Sequence, residues 1–104
     1  MALRRFYRLV TAPDPPLSDF LTYAAQGRIF PDREVQRRAE ELSVWDSFDR
    51  VRRLSMQKPS LGRFVAVLDI PPDVPLSGGR RGHWGIRDAP PERVKMWVVE
   101  VVPL

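Results

Sequence analysis

Residues 61–70, LGRFVAVLDI, constrain the fold of this chain more than any other segment. Successive side chains of a β-strand point to opposite faces of its sheet, so alternate positions can be assigned to one face or the other. Apolar residues occupy both faces through the middle of the segment: Phe64, Ala66, Leu68 and Ile70 on one, Val65 and Val67 on the other. The pattern predicts a strand that lies centrally in a sheet or is covered on both faces.

The residues before this segment are predicted to form one strand and three helices. Residues 4–10, RRFYRLV, are rich in aromatic and β-branched side chains and form the opening strand. Residues that are favoured as N-caps mark the starts of the predicted helices, and a glycine marks the end of the first one. The predicted helices run from Ser18 to Gly27, from residue 32 to residue 42, and from Ser47 to about Gln57. Residues 43–46 are too few to assign, and a short strand and an extended link both stay open.

The residues after it are predicted to form a loop and two strands. Residues 71–82 are rich in proline and glycine and are expected to be a flexible loop. Residues 83–86 are a candidate short strand, and residues 94–102, VKMWVVEVV, are a second strand that is apolar on both faces. The element order is strand, three helices, then three strands. It predicts an α+β fold with the helices packed on a small, mainly antiparallel sheet.

Length and composition limit the class of protein. The chain has 104 residues and no cysteine. One domain covering residues 1–104 is therefore expected. Disulfides, thiolate metal sites and a cysteine nucleophile are excluded, and the composition is consistent with a reducing cytoplasm. No apolar run is long enough for a signal peptide or a membrane span, so we expect a soluble, cytoplasmic protein that does not associate with membranes.

The formal net charge of +4 is carried almost wholly by arginine, since Lys58 and Lys95 are the only lysines. Two interpretations stay open: a mildly basic surface without a specific role, or a face that binds anions or nucleic acid. On the second predicted helix, Glu34 is spaced to pair with Arg38, and Arg37 with Glu41. Such pairs indicate a solvated helix face more than a binding patch.

Residues 77–85, SGGRRGHWG, contain the most suggestive candidates for ligand binding. Glycine-rich backbone beside Arg80 and Arg81 can hold phosphate, and Trp84 can stack on a base. His83, the only histidine, is a candidate general base because its ordinary pKa lies near neutrality. No companions at metal-ligand spacing accompany it, so no metal site is predicted. The alternative is a hairpin connection that Trp84 anchors to the core.

Arg8 is a further candidate ligand-binding residue, because it lies between apolar neighbours on one face of the opening strand. A guanidinium group in that position needs an anionic partner or access to solvent. Asp46 or Glu100 would make a structural ion pair, and a bound phosphate would make a functional one.

Trp45, Trp84 and Trp97 could form an aromatic interface with a partner, although tryptophans of small domains are usually core or half-core residues.

Three segments resemble parts of the ADP-ribosyltransferase-like fold. They are FYRLV at residues 6–10, LSVWD at residues 42–46 followed by a helix, and a closing strand at residues 98–103. The resemblance implies that Arg8 holds a phosphate or ribose of NAD, that Ser43 opens a later strand of the site, and that Glu100 completes it. NAD is the implied cofactor under this interpretation, and without it no cofactor is expected.

Three functions follow from these residues. The favoured one is a small, non-catalytic intracellular module that binds a protein partner or an anionic, nucleotide-like ligand, because no base, nucleophile or metal set assembles from the sequence. The second is an ADP-ribosyltransferase-like enzyme that uses Arg8 and Ser43, assisted by Glu100 or His83. The third is a nucleic-acid-binding protein that acts through Arg80, Arg81 and the helix arginines.

Overall fold

The computed structural model describes residues 3–104, which form six β-strands, three α-helices and two short 3-10 helices. The strands are β1 (Arg4–Val10), β2 (Leu42–Trp45), β3 (Phe64–Ile70), β4 (Leu76–Arg80), β5 (His83–Ile86) and β6 (Val98–Pro103). The α-helices are α1 (Arg33–Ala39), α2 (Phe48–Gln57) and α3 (Pro91–Met96). The 3-10 helices are Leu17–Phe20 and Pro59–Leu61.

All six strands belong to one antiparallel sheet with the order β4-β5-β2-β1-β3-β6. The predicted α+β class is therefore confirmed, with two more strands than expected. Strand β3 lies between β1 and β6, and five of its seven residues are buried. This position explains why the sequence of β3 is apolar on both faces.

Apolar clusters cover the sheet on both faces. On one face, Phe6 and Val10 of β1 pack with Phe20 of the first 3-10 helix and Val94 of α3. On the other face, α2 packs over Leu9 and other apolar side chains of β1 and β3. No helix formed by residues 3–104 is long and apolar enough to cross a membrane.

The predicted helix from Ser18 to Gly27 is wrong. The chain forms only the 3-10 helix Leu17–Phe20, whose N-cap is Pro16, and the backbone is extended again at Leu21. In a continuing α-helix the carbonyl oxygen of Asp19 would accept a hydrogen bond from the backbone four residues later. Here that oxygen accepts instead from the side chain of Arg8.

The helix predicted for residues 32–42 is shorter than expected. Asp32 is its N-cap, as the sequence indicates, and accepts hydrogen bonds from the backbone of Glu34 and Val35. The helix ends at Ala39, so residue 42 belongs to β2 and residues 43–46 include a short strand. The third predicted helix is confirmed: Ser47 caps α2, which ends at Gln57.

Two predictions for the second half of the chain are corrected. Residues 71–82, expected to be a loop, contain strand β4, in which Gly78 and Gly79 adopt positive φ angles at an irregularity of the strand register. Residues 94–102, expected to be one strand, begin within α3, and β6 starts at Val98. Pro91 explains this second error, because proline is favoured at the first position of a helix. The short strand at residues 83–86 is confirmed as β5.

Candidate functional site

One face of the sheet forms the floor of a cleft beside α2. Helix α2 packs over β1 and β3, whereas the neighbouring strands β2, β5 and β4 leave side chains accessible on the same face. Trp45 of β2 lies opposite His83 of β5, and Ser43 lies opposite Gly85, which in turn lies opposite Ser77 of β4. The cleft measures about 740 Å³. A volume of this size fits a small-molecule ligand, for which pockets of roughly 300–1,000 Å³ are usual.

Five arginines of the described chain line this cleft, which we call the arginine cleft. Three separate segments supply them: Arg37 and Arg38 from the last turn of α1, Arg50 from the first turn of α2, and Arg80 and Arg81 from the end of β4 and the turn after it. Arg37 forms an ion pair with Glu34, with a distance of 2.7 Å between Nη2 and Oε1. Within residues 3–104 the other four arginines have no ion pair, so their charges are available to a ligand.

An aromatic pair forms part of the cleft lining. The rings of Trp45 and His83 are stacked, with centroids 4.8 Å apart and planes inclined by 20°. Burial is the main cause that lowers the pKa of His83 below its ordinary value; nearby Arg38 lowers it further, and Glu41 opposes the change. His83 is therefore neutral at pH 7, and the cleft combines cationic groups with flat, uncharged rings.

Glu41 is held at the floor of the cleft by its neighbours in the sheet. Its Oε2 accepts a hydrogen bond from the hydroxyl group of Ser77. Its side chain lies against Gly85, where an added Cβ would come 2.9 Å from the Cβ of Glu41. Real Cβ atoms do not approach so closely, and the absence of a side chain at Gly85 therefore allows Glu41 to reach Ser77.

The turn between β4 and β5 positions the arginines at one end of the cleft. Arg81 and Gly82 adopt left-handed conformations, with φ angles of 56° and 77°. The carbonyl oxygen of Gly82 accepts a 3.0 Å hydrogen bond from the backbone of Asp46. The Asp46 carboxylate also accepts from Nε1 of Trp84 at 3.2 Å. Asp46 thus fixes the turn, and its carboxylate is not paired with Arg8.

Arg8 lies outside the arginine cleft, and its predicted ion pair with Asp46 or Glu100 is wrong. Its Nε and Nη2 donate to the carbonyl oxygen of Asp19 at 3.0 and 2.9 Å, and its Nη1 donates to the carbonyl oxygen of Ser43 at 2.7 Å. Burial lowers the pKa of Arg8 to about 10, partly opposed by the charge of Asp19. Two backbone carbonyl groups are therefore the hydrogen-bond partners of Arg8, in place of the anionic partner that was expected from the sequence.

The structure brings some of the candidate residues together and separates others. Ser43 and His83 line the arginine cleft with Arg80, Arg81 and Trp84. Arg8 lies on the face of β1 that carries Phe6 and Val10, and its guanidinium group reaches the backbone of Ser43. Arg8, Glu41, Ser43 and Trp45 line a second cavity, of about 300 Å³, beside the arginine cleft. Glu100 is exposed on β6, the edge strand farthest from β4. Arg8 and Ser43 are therefore neighbours, whereas Glu100 does not converge with them on one site.

The three tryptophans do not form one exposed surface. Trp84 packs edge to face on Phe6, with ring centroids 6.0 Å apart, and Trp97 packs against the same apolar cluster. Trp45 belongs to the smaller cluster under α2. All three tryptophans are half-buried. This agrees with the second interpretation from the sequence, that they are core or half-core residues.

Sequence reasoning did not assign four residues of the cleft by name: Arg37, Arg38, Glu41 and Arg50. The three arginines entered only as unnamed helix arginines of the nucleic-acid hypothesis. Arg37, Arg38 and Glu41 were interpreted as members of a solvated helix face with pairs from Glu34 to Arg38 and from Arg37 to Glu41. The observed ion pair instead joins Arg37 to Glu34. The adjacent Arg37 and Arg38 at the end of α1 could have indicated an anion-binding site. Their place in the cleft, however, depends on the packing of β4 and β5 beside β2, which the sequence does not show.

Comparisons with known proteins add no relationship. No protein-family model, curated protein or solved structure matches the chain. Over residues 3–104, no group of three histidine, aspartate or glutamate side chains is arranged to hold a metal ion.

Proposed function

We propose that this protein is a small, non-catalytic binding module whose arginine cleft takes an anionic, nucleotide-like ligand. The observation that carries the proposal is the convergence of five arginines from three chain segments on one concave surface. Guanidinium groups are well suited to phosphate because they donate paired, parallel hydrogen bonds to its oxygens. The lack of cysteine supports an intracellular, cytoplasmic setting for such a module.

The electrostatic balance of the cleft supports an anion over a neutral ligand. The five arginines share the cleft with a single carboxylate of the described residues, that of Glu41. Side chains of like charge repel one another, so four unpaired arginines on one surface lower the stability of the fold until an anion binds. A phosphate group would offset that repulsion.

The aromatic pair supports a ligand with a planar ring. Trp45 and His83 offer uncharged ring atoms beside the arginines. Stacking on such side chains is worth about 1–3 kcal/mol per nucleobase and depends little on which base is present. A nucleotide combines a planar base with phosphate, and both parts fit the chemistry of the cleft.

Thermal unfolding in the presence of nucleotides tests the proposal. A ligand present at about a hundred times its dissociation constant adds about 2.7 kcal/mol to the free energy of unfolding, which for a chain of this size raises Tm by on the order of 10 °C. AMP, ADP and ATP should raise Tm, while adenosine, which lacks phosphate, should raise it much less. No shift with any nucleotide at millimolar concentration would contradict the proposal.

An ADP-ribosyltransferase-like activity is the second candidate, and the contact between Arg8 and Ser43 favours it. Arg8 and Ser43 are two of the site residues that the family resemblance implies, and they lie on the adjacent strands β1 and β2. Ser43 also lines the arginine cleft. The exposed position of Glu100 on the far edge strand counts against this candidate. Consumption of NAD by the wild-type protein that is lost in Ser43→Ala, with unchanged Tm, would establish it. Absence of NAD turnover would leave binding as the better account.

The arginine cleft could also take an acidic peptide segment of a protein partner or a nucleic-acid strand, because both present a series of anionic groups. Nucleic-acid affinity falls steeply with salt, in proportion to the phosphates contacted. Titration of a single-stranded oligonucleotide at about 50 and 200 mM salt therefore tests the nucleic-acid strand as a ligand. A loss of about tenfold or more would favour a strand that occupies several arginines at once.

A further inference from the structure

The carboxylate of Glu41 is the feature of the arginine cleft that anion binding does not explain. Within the described part of the chain it is the only acidic side chain that lines the cleft. A carboxylate near a bound phosphate repels it, so a site for phosphate alone would be stronger without Glu41. Phosphate binding alone therefore does not account for Glu41.

The fold holds Glu41 in place rather than leaving it on a mobile side chain. Its backbone N–H donates to the carbonyl oxygen of Arg38 at 3.1 Å, and its Oε2 accepts from Ser77. The side chain occupies the space above Gly85, and the residue is partly buried. A neutral contact with Ser77 alone does not require a carboxylate, since an amide oxygen would accept the same hydrogen bond.

Glu41 keeps hydrogen-bonding capacity that its protein neighbours do not use. A carboxylate has about four acceptor positions on its two oxygens. In residues 3–104, Oε2 has Ser77 as its hydrogen-bond partner, and Oε1 has none. A ligand in the cleft that carries hydroxyl groups would find an ionised acceptor there, and hydrogen bonds to ionised groups are stronger than those between neutral groups.

We propose that Glu41 selects ligands with a hydroxylated sugar between ring and phosphate, so that the ligand class is a ribonucleotide. The ribose hydroxyls donate to Glu41, the phosphate accepts from arginines, and the base lies against Trp45 and His83. The inference rests on the proposed function, because it names the ligand of the same cleft. The inference explains why a carboxylate lies among the arginines. Glu41 would make the cleft prefer a ribonucleotide to inorganic phosphate and to a dideoxynucleotide, which both lack the ribose hydroxyls.

Calorimetric titration with AMP, 2′,3′-dideoxy-AMP and inorganic phosphate tests the inference. Wild-type protein should bind AMP at least about tenfold more tightly than dideoxy-AMP, as expected for hydrogen bonds to a charged acceptor. Glu41→Gln keeps the size and one acceptor oxygen of the side chain but removes its charge. It should weaken AMP binding while dideoxy-AMP binding stays the same or tightens, so that the preference is lost.

Glu40→Gln is the matched control, because Glu40 precedes Glu41, is exposed and does not line the arginine cleft. It makes the same change in charge and should keep the wild-type preference. Equal affinity of wild-type protein for AMP and dideoxy-AMP would overturn the inference and leave the proposed function standing. Retention of the preference in Glu41→Gln would overturn it as well. No binding of AMP, dideoxy-AMP or phosphate would overturn both the inference and the proposed function.

Discussion

The guanidinium group of Arg8 donates a 2.7 Å hydrogen bond to the carbonyl oxygen of Ser43 across the gap between β1 and β2. These two strands are paired only at Tyr7 and Trp45, whereas β1 is paired with β3 along its whole length. Arg8 therefore joins the two halves of the sheet where the backbone ladder is weakest. These contacts give Arg8 a structural role, in which it positions the strand that carries Ser43 and Trp45 into the cleft.

Replacing Arg8 with methionine should destabilise the fold. The substitution keeps much of the apolar stem but leaves the carbonyl oxygens of Asp19 and Ser43 without their donor. Buried acceptors without a partner cost about 1–3 kcal/mol each, so for two of them we expect a loss of at least about 2 kcal/mol in the free energy of unfolding. Urea denaturation measures it. Arg5→Met is the matched control on the same strand: Arg5 is exposed and bonds only Asp69, so its loss should be much smaller. Equal effects of the two substitutions would contradict the structural role of Arg8.

Gly62 should tolerate no side chain. Its φ angle is 128°, and a Cβ there would overlap the backbone carbonyl group of Val10. The carbonyl oxygen of Gly62 also accepts a 2.8 Å hydrogen bond from the buried hydroxyl of Ser55. Gly62→Ala should therefore lower the free energy of unfolding by more than about 3 kcal/mol, since the strand start or the end of α2 must move.

Gly27→Ala is the control for Gly62→Ala. Gly27 also has a positive φ angle, of 83°, but within residues 3–104 a Cβ built there would meet no atom within 4 Å beyond its two neighbours in the chain. The cost should be that of the left-handed backbone alone, about 1–2 kcal/mol. If chemical denaturation gave the same loss for both glycines, the close approach of Gly62 to Val10 would not be the cause.

Acidification should weaken the fold through His83. Burial against Trp45, together with Arg38, places the folded-state pKa of His83 below its ordinary value. A lowered folded pKa means that the unfolded chain binds the proton more readily. The contribution of His83 to stability is thus fully present above about pH 6.5 and is lost as the pH falls through the folded-state pKa.

The comparison of wild-type protein with His83→Gln isolates this effect. Urea midpoints measured from pH 7.5 to 5 should fall more for the wild type than for the variant. The lowered pKa values of Glu34, Asp49 and Asp69 affect both proteins equally and at lower pH. Parallel profiles would contradict a lowered pKa of His83.

Much of the fold was predictable because local signals agreed with tertiary packing. Ser47 as an N-cap fixed the start of α2, and the two apolar faces of β3 matched its position between β1 and β6. The signal at Ser18 failed because Arg8, ten residues away, takes the carbonyl oxygen that a helix would need. A long-range contact of this kind leaves no mark in local sequence.

The glycines of β4 show why the cleft was only partly predictable. Their composition is typical of a loop, but Gly79 lies against the ring of Trp84, where a Cβ would come 2.7 Å from Cζ2. The segment is therefore a strand whose glycines accommodate a neighbouring tryptophan. Arg80, Arg81, His83 and Trp84 were predictable as a group because they are adjacent in sequence. Their union with Arg37, Arg38 and Arg50 depends on strand order, which the sequence does not determine.

The most direct test of the arginine cleft compares two double variants that remove the same charge. Arg80→Ala/Arg81→Ala removes two cleft arginines, while Arg52→Ala/Arg53→Ala removes two α2 arginines that pair with Asp49 outside the cleft. The measurement is the dissociation constant of AMP for each variant and for the wild type, at one salt concentration. The first variant should bind AMP at least about tenfold more weakly, because contacts between guanidinium and phosphate are lost, and the second should bind as the wild type does. Unchanged affinity in Arg80→Ala/Arg81→Ala, or the same loss in both variants, would contradict a phosphate-binding role for the cleft.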